Sequence, residues 1–169
     1  MLSAIKQNRT KELVEASYEP LSMGAGVKEE KAPKPPDGRF TILLVDNEPA
    51  LVRLGKSILE KAGYSVRDTA DPFEALRIFE AYPAGIDLII TDHVMPGLVG
   101  LELIKRAKAI HPGVGTIIVT ANPFLDCLDE AEKAGLAKVI GKPYFRYELL
   151  DAVSAALGPG LPETGRGAP

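Results

Sequence analysis

The feature that most constrains this 169-residue chain is an apolar run that stops at a carboxylate, Ile86-Asp-Leu-Ile-Ile-Thr-Asp92, with Pro96 and Gly97 close behind it. The three apolar residues at 88–90 predict a strand that is buried on both faces, as in a parallel sheet. Because proline does not continue a central strand, the chain must turn after Asp92. Asp92 is therefore predicted at the carboxyl end of a buried strand, where open α/β sheets bind their ligands.

From residue 40 onward, strand-like and helix-like patterns alternate without interruption. Apolar runs predict five strands, at residues 40–45, 64–68, 88–92, 114–120 and 137–140. Periodic apolar positions and capping residues predict five helices, at residues 49–62, from 72, at 98–110, from 122 and at 144–157. The inward faces are predicted to include Leu54 in the first helix and Phe73 in the second. Five successive βα units favour a doubly wound parallel sheet with helices on both faces.

Two flanking segments have a different composition from the predicted domain at residues 40–157. Residues 1–39 end in a charged and proline-containing stretch and are predicted to be a tail or linker, with a short docking or dimerisation helix as the alternative. Residues 158–169 contain three prolines and four glycines and are predicted to be a disordered tail.

Composition excludes several classes of function. The net charge of −3 gives no basic field for nucleic acid. No apolar run approaches the roughly 20 residues that a membrane-spanning helix needs. A single cysteine, Cys127, forms no internal disulfide and fits a reducing compartment. We therefore expect a cytoplasmic protein without a nucleic-acid or membrane partner.

The carboxyl ends of the predicted strands carry the side chains that could bind a metal ion or react. In a parallel sheet these ends share one edge, so the side chains are expected to meet in one crevice. They are Asp46, Asn47 and Glu48 after the first strand, Asp92 after the third, Thr120 and Ala121 after the fourth, and Lys142 after the fifth. Clustered carboxylates favour a divalent cation, and an oxygen-lined pocket suits Mg²⁺. A carboxylate can also attack a phosphoryl group whose charge is stabilised by a metal, an ammonium and a hydroxyl.

Four ordered motifs resemble the receiver domain of two-component response regulators. They are Ile42-Leu-Leu-Val-Asp-Asn-Glu-Pro49, Asp87-Leu-Ile-Ile-Thr-Asp-His-Val-Met-Pro-Gly97, Ile117-Ile-Val-Thr-Ala121 and Gly141-Lys-Pro-Tyr144. The resemblance implies a flavodoxin-like five-stranded sheet of order 2-1-3-4-5. It also implies a signalling phosphoacceptor rather than an enzyme, with transfer of a phosphoryl group from a histidine kinase to Asp92 and slow self-dephosphorylation.

The same resemblance assigns roles to individual positions. The phosphate-binding and switch residues are Thr120, Ala121 and Lys142, the Mg²⁺ ligands are Asp46, Asn47, Asp92 and the backbone carbonyl of Val94, and the bond before Pro143 is expected to be cis. A downstream protein partner is expected at the face formed by the fourth helix, the fifth strand and the fifth helix.

Two departures from the family pattern leave the function open. Asn47 stands where the family usually has a second aspartate, so Mg²⁺ binding is expected to be weak, with Glu48 as a candidate compensating ligand. Val139 stands where an aromatic residue often reports phosphorylation. The alternative to a phosphoacceptor is therefore a pseudo-receiver, a protein-interaction module whose site no longer cycles phosphate. An enzyme such as an aspartyl phosphatase is disfavoured, because Val94 stands where a second catalytic aspartate would be needed.

Several further side chains receive expectations that depend on their surroundings. Asn47 is predicted to cap the first helix in addition to weakening the metal site. His93 is predicted to be an exposed loop residue that tunes access to Asp92. Cys127 is predicted to be partly buried. Tyr144 and Tyr147 are expected either to form a partner surface or to pack on the sheet.

Overall fold

Five short strands form the centre of the part of the protein that this computed structural model describes, residues 40–158. They are β1 (Thr41–Val45), β2 (Ser65–Thr69), β3 (Leu88–Asp92), β4 (Gly115–Thr120) and β5 (Lys138–Gly141). All pair in parallel, in the order β2-β1-β3-β4-β5. The predicted flavodoxin-like sheet and its strand order are confirmed. The tails predicted at 1–39 and 158–169 lie outside the described residues, apart from Gly158.

A helix follows each strand. The helices are α1 (Pro49–Lys61), α2 (Pro72–Ala81), α3 (Gly100–Ile110), α4 (Asp126–Lys133) and α5 (Arg146–Leu157), with one turn of 3₁₀ helix at Pro83–Gly85. Asp71 begins α2 by accepting a 2.8 Å hydrogen bond from the backbone nitrogen of Phe73. Gly63, after α1, has a φ of +94°, a conformation that glycine adopts without strain.

The core lies on both faces of the sheet, because successive side chains of a strand point in opposite directions. On one face, Ile42, Leu44, Leu88, Ile90, Ile117 and Val119 pack against α1 and α5. On the other, Leu43, Val45 and Ile89 pack against α2 and α3, and Ile118 packs against α3 and α4. Strands buried on both faces explain why their sequences are continuously apolar rather than alternating.

Three helices begin later in the chain than their sequences predict. The predicted starts at residues 98, 122 and 144 become Gly100, Asp126 and Arg146. In each case the residue before the helix has an extended backbone conformation. The residues between the predicted and the observed helix starts therefore form loops at the carboxyl edge of the sheet, although their sequence pattern favours an earlier helix start.

Two apolar side chains predicted to point inward are largely exposed. Leu54 is on the outer side of α1, whose buried positions are Val52, Gly55 and Leu59. Phe73 is 45% exposed, and Ala75 lies in the core of α2 instead. The reason is that both helices are rotated relative to the predicted apolar face, so that small residues contact the sheet.

Gly100 brings the start of α3 against the end of β3. A Cβ at this position would lie 2.2 Å from the carbonyl oxygen of Asp92, closer than two such atoms can approach. The backbone nitrogen of Gly100 also donates a 2.9 Å hydrogen bond to the carbonyl oxygen of His93. The absence of a side chain at Gly100 therefore allows the backbone to take this path immediately after Asp92.

Candidate functional site

Two aspartates lie side by side at the carboxyl edge of the sheet. Val45, the last residue of β1, pairs with Thr91 of β3, so the residues that follow each of them are neighbours. These residues are Asp46 and Asp92, and both are buried, with exposed fractions of 6% and 7%. Two neighbouring buried carboxylates repel each other and require positive charge or hydrogen-bond donors nearby.

Lys142 supplies the positive charge. Its Nζ lies 2.8 Å from Asp46 Oδ2 and 3.2 Å from Asp92 Oδ1. Burial alone would lower the pKa of Lys142, but the hydrogen bonds and charges of the two aspartates outweigh burial, and the pKa is raised above 10.5. The side chain is therefore a permanent ammonium between two carboxylates. The peptide bond from Lys142 to Pro143 is cis.

Asn47 approaches the second oxygen of Asp92. Two acceptors flank its amide, and hydrogen bonding therefore turns the nitrogen toward them. In this orientation Asn47 Nδ2 lies 3.2 Å from Asp92 Oδ2 and 3.3 Å from the carbonyl oxygen of Val94. Asn47 does not cap α1 as predicted, because the residue at the cap position is Glu48, which makes no capping hydrogen bond through its side chain.

Glu48 lies at the rim of the site. Its backbone nitrogen donates a 2.9 Å hydrogen bond to Asp46 Oδ1, which explains the sharp turn between β1 and α1. Its carboxylate is 3.9 Å from Lys142 Nζ and largely exposed. Among residues 40–158, no group of three or more His, Cys, Asp and Glu side chains could hold a metal ion. We define the acidic site as Asp46, Asn47, Asp92, Lys142 and the Val94 carbonyl.

Thr120 lies beside the acidic site but points its hydroxyl elsewhere. The residue is fully buried, and the backbone nitrogen of Lys142 donates a 2.6 Å hydrogen bond to its carbonyl oxygen. Its Oγ1 accepts a 3.2 Å hydrogen bond from the backbone nitrogen of Asn122. Within the described residues, no hydrogen bond joins Thr120 to Asp92. Ala121, the next residue, is exposed and adds no polar group.

Known proteins share this architecture. A family profile of the response regulator receiver domain matches residues 42–154. Sporulation initiation phosphotransferase F of Bacillus subtilis is 33% identical over 116 residues, which cover 69% of this chain and 92% of that protein. The crystal structure of a response regulator receiver domain protein from Clostridium thermocellum has a TM-score of 0.66 at 33% identity, covering 70% of this chain and 94% of that chain.

The chain belongs to the response regulator receiver family. Receiver domains are the signalling phosphoacceptors of two-component systems, where they interact with histidine kinases and with downstream partners, and they generally bind Mg²⁺ at the phosphorylation site. The chain is also 36% identical over 135 residues to sensor kinase CckA of Brucella abortus, but it spans only 14% of that protein. None of the helices in residues 40–158 is both long and apolar enough to span a membrane.

The oxygen atoms of the receiver's acidic site are of the kind that Mg²⁺ prefers. Asp46, Asp92 and the Val94 carbonyl contribute such atoms, and no soft ligand lies among them. Asn47 opposes a straightforward fit, because its hydrogen-bond partners orient the amide nitrogen, rather than the oxygen, toward Asp92 Oδ2 and the Val94 carbonyl. The donor set therefore fits Mg²⁺ once the amide turns away or presents its oxygen.

His93 is a residue whose surroundings the sequence did not reveal. It is only 8% exposed, where an exposed loop side chain was expected. Its Nδ1 is buried without a hydrogen-bond partner among the described residues. Burial lowers the pKa of His93, and the neighbouring charge of Asp92 offsets this effect only in part. The ring is therefore neutral near pH 7, and no local sequence signal distinguishes it from a loop histidine.

Aromatic side chains border the carboxyl end of β5. Phe124, in the loop before α4, is 86% exposed. Phe145 and Tyr147, where α5 begins, stack with ring centroids 5.7 Å apart and are both largely exposed. Tyr144 packs against the core instead. Burial, followed by the charge of Asp46, raises the pKa of Tyr144.

Cys127 lies on α4, next to this edge of the sheet. It is exposed, where a partly buried residue was predicted. The prediction was wrong because Leu128 and Ala131 are the residues through which α4 contacts the sheet, so that position 127 faces outward. Cys127 therefore contributes neither to the core nor to the acidic site.

Proposed function

We propose that this receiver takes a phosphoryl group from a histidine kinase onto Asp92, with Mg²⁺ as cofactor, and thereby switches the binding of a downstream partner. The observation that carries the proposal is the position of the Lys142 ammonium, within 3.2 Å of both Asp46 and Asp92. An ammonium in this place balances charge on the carboxylates before transfer and on the phosphoryl oxygens afterwards.

The proposed transfer is a displacement at phosphorus. A carboxylate oxygen of Asp92 forms the new O–P bond, the P–N bond to the kinase imidazole breaks, and its electron pair remains on the imidazole nitrogen. Mg²⁺, when bound, supplies further positive charge to the phosphoryl oxygens. Lys142 holds the oxygens on one side, and the neutral His93 contributes no charge that would compete with it. Slow hydrolysis of the resulting acyl phosphate resets the protein.

Thr120 is the proposed sensor of the phosphoryl group. Its hydroxyl makes two long hydrogen bonds to Asn122, accepting at 3.2 Å from the backbone nitrogen and donating at 3.5 Å to the carbonyl oxygen, and we expect it to exchange them for a hydrogen bond to a phosphoryl oxygen. Release of the Asn122 nitrogen loosens the loop that carries Phe124, and the exposed Ala121 leaves room for the phosphoryl group at this point. Ligands of this kind act by shifting the population of a two-state element.

The face of α4, β5 and α5 is the proposed partner surface. Phe145 and Tyr147 present a stacked aromatic pair there, and Phe124 lies in the adjoining loop. Exposed aromatic side chains are enriched where proteins bind each other. Val139 of β5 is half-buried against the core beneath α4, so a valine rather than an aromatic ring couples the site to this face.

A pseudo-receiver is the second candidate, and Asn47 is the observation that favours it. The Asn47 amide can donate hydrogen bonds to both Asp92 Oδ2 and the Val94 carbonyl, so these two acceptors have a donor within the protein itself. On this alternative the chain binds a partner in one state only and accepts no phosphoryl group.

A phosphorylation assay separates the two functions. The protein is incubated with acetyl phosphate and Mg²⁺, and its intact mass is measured with and without hydroxylamine, which cleaves acyl phosphates. We expect the addition of one hydroxylamine-sensitive phosphoryl group, its loss in Asp92→Asn, and its retention in Asp68→Asn. Asp68 is a matched control because it lies near the end of β2, paired with Lys56 outside the acidic site. A folded protein that gains no mass at saturating Mg²⁺ contradicts the phosphoacceptor proposal.

A further inference from the structure

Asn47 lies between two groups that the proposed function assigns to the metal. Its Nδ2 is 3.2 Å from Asp92 Oδ2 and 3.3 Å from the Val94 carbonyl oxygen. A carbonyl and an ionised carboxylate only accept hydrogen bonds, so the amide donates to both. An amide nitrogen that donates in this way has no lone pair to offer a cation. With its amide oriented by these hydrogen-bond partners, Asn47 stands at the position of a ligand without acting as one.

All the oxygens of the aspartate pair have donors from the protein itself. Asp46 Oδ1 accepts from the Glu48 backbone, and Asp46 Oδ2 accepts from Lys142. Asp92 Oδ1 lies beside the Lys142 ammonium, and Asp92 Oδ2 faces the Asn47 amide. Each oxygen keeps a second lone pair, but a cation that bridges Asp92 Oδ2 and the Val94 carbonyl would meet the Asn47 amide protons between them. Of these donors, the Asn47 amide is the one that is both uncharged and able to turn over by a side-chain rotation.

We propose that the Asn47 amide is a lock on the metal site. In the metal-free receiver it holds Asp92 and the Val94 carbonyl together, and it must release both before a divalent cation can bind. The cation thus competes with an internal hydrogen-bond donor. This inference rests on the proposed function for its consequence, which is that Asn47 sets the Mg²⁺ concentration at which Asp92 accepts a phosphoryl group.

The lock and a simple ligand predict opposite effects of removing the amide. If the oxygen of Asn47 were merely a weak ligand, Asn47→Ala would remove it and weaken Mg²⁺ binding. If the amide is a lock, Asn47→Ala frees Asp92 Oδ2 and the Val94 carbonyl, and binding tightens. We expect about tenfold tighter binding, since a tenfold change equals about 1.4 kcal/mol, the scale of one hydrogen bond to a charged group.

Mg²⁺ titrations of the full chain, followed by calorimetry or by backbone amide shifts, test the proposal. Asn47→Ala is expected to bind about tenfold more tightly than the unchanged chain, and Asn47→Asp more tightly still because it adds a charged oxygen ligand. Asp68→Asn is the control, since it changes the net charge by the same amount outside the acidic site, and its affinity is expected to stay within about twofold. Unchanged or weaker binding by Asn47→Ala overturns the lock, as does Asn47→Asp binding no more tightly than the unchanged chain.

The side-chain amide gives a second readout that needs no folded variant. The chain has three asparagines, Asn8, Asn47 and Asn122, and one glutamine, Gln7, so the side-chain amide region of a nitrogen–proton spectrum is sparse. In the metal-free protein, the Asn47 amide protons are expected to exchange with water more slowly than those of Asn122. Mg²⁺ saturation should remove this protection. Equal exchange of the two amides in metal-free buffer overturns the lock.

The lock and the phosphoacceptor function fail in different measurements. Mg²⁺ affinity and amide exchange are measured without a phosphodonor, so they report on Asn47 alone. The mass assay at saturating Mg²⁺ reports on Asp92 alone. A protein that gains a phosphoryl group while Asn47→Ala binds Mg²⁺ more weakly refutes the lock and retains the function.

Discussion

Replacing Lys142 with methionine tests the charge balance of the acidic site most directly. Methionine keeps the apolar stem of the side chain but removes the ammonium. Asp46 Oδ2 and Asp92 Oδ1 then lose a donor at 2.8 and 3.2 Å. Because both carboxylates are buried, they are left facing each other without a cation. We expect the free energy of unfolding of the metal-free protein to fall by about 3–5 kcal/mol.

The distances set the size of this effect. At an effective dielectric constant of about 20, unit charges roughly 3 Å apart attract by about 5 kcal/mol, and the ammonium has two such partners. Desolvation of Lys142 offsets part of this attraction, since its side chain is only 13% exposed. These opposing effects bring the expected change to a few kcal/mol.

Urea unfolding at pH 7 with a chelator provides the measurement, in a double-mutant cycle with Asp46→Asn. We expect a coupling energy of about 2 kcal/mol or more between Lys142 and Asp46. The pKa of Lys142 is raised by folding, so its stabilisation is fully present below 10.5 and is lost only as the pH rises through the folded value. Lys138→Met is the control, since its pair with Glu132 is exposed, and the expected change is within about 1 kcal/mol. A coupling below about 0.5 kcal/mol would refute the reasoning, because it would mean that water already solvates the ammonium.

Three further outcomes follow from the packing around the site. Gly100→Ala is expected to destabilise the protein by about 3 kcal/mol in thermal unfolding, because its Cβ meets the backbone, whereas Gly113→Ala, whose Cβ meets only the far end of a histidine ring, should change stability by less than about 1 kcal/mol. Folding lowers the pKa of His93 below 6.5, so the stabilisation from its neutral ring is present above pH 6.5 and is lost as the pH falls through the folded value. In urea unfolding of the metal-free protein, His93→Gln should flatten the dependence of the free energy of unfolding on pH in this range. An unchanged dependence on pH contradicts the prediction. Thr120→Val should still gain the phosphoryl mass but lose the accompanying shifts of amide signals in α4, β5 and α5, and retention of those shifts would remove Thr120 as the sensor.

The sheet and the approach of the strand ends were predictable because a single physical pattern specifies them. Continuous apolar runs such as residues 88–90, followed closely by turn-forming residues, favour strands buried on both faces, and parallel pairing then brings their carboxyl ends together. That logic places Asp46, Asp92 and Lys142 on one edge without knowledge of any contact. The family and the strand order follow from the same motifs and are confirmed.

The details that sequence did not reveal depend on tertiary contacts. The direction of the Asn47 amide is decided by the two oxygens that surround it, and neither is adjacent in the chain. His93 is buried because α3 begins at Gly100, which holds the loop between β3 and α3 over the end of β3. A lone glycine in the sequence does not predict this close approach. The fourth helix was predicted from Asn122, but the backbone nitrogen of Asn122 donates to Thr120 Oγ1 in a loop, and the helix begins only at Asp126.

The charge of the acidic site decides which property Asn47 controls. Two carboxylates and one ammonium leave one net negative charge, where a second aspartate in place of Asn47 would leave two. A smaller negative charge repels an incoming phosphoryl group less, but it also attracts a divalent cation less. The Lys142 ammonium lies 3.2 Å from Asp92 Oδ1, whereas Asn47 faces Asp92 Oδ2, so the group proposed to receive the phosphoryl oxygens does not depend on Asn47. Asn47 is therefore expected to set how much Mg²⁺ the transfer requires, and Lys142 is expected to determine whether Asp92 can accept the phosphoryl group.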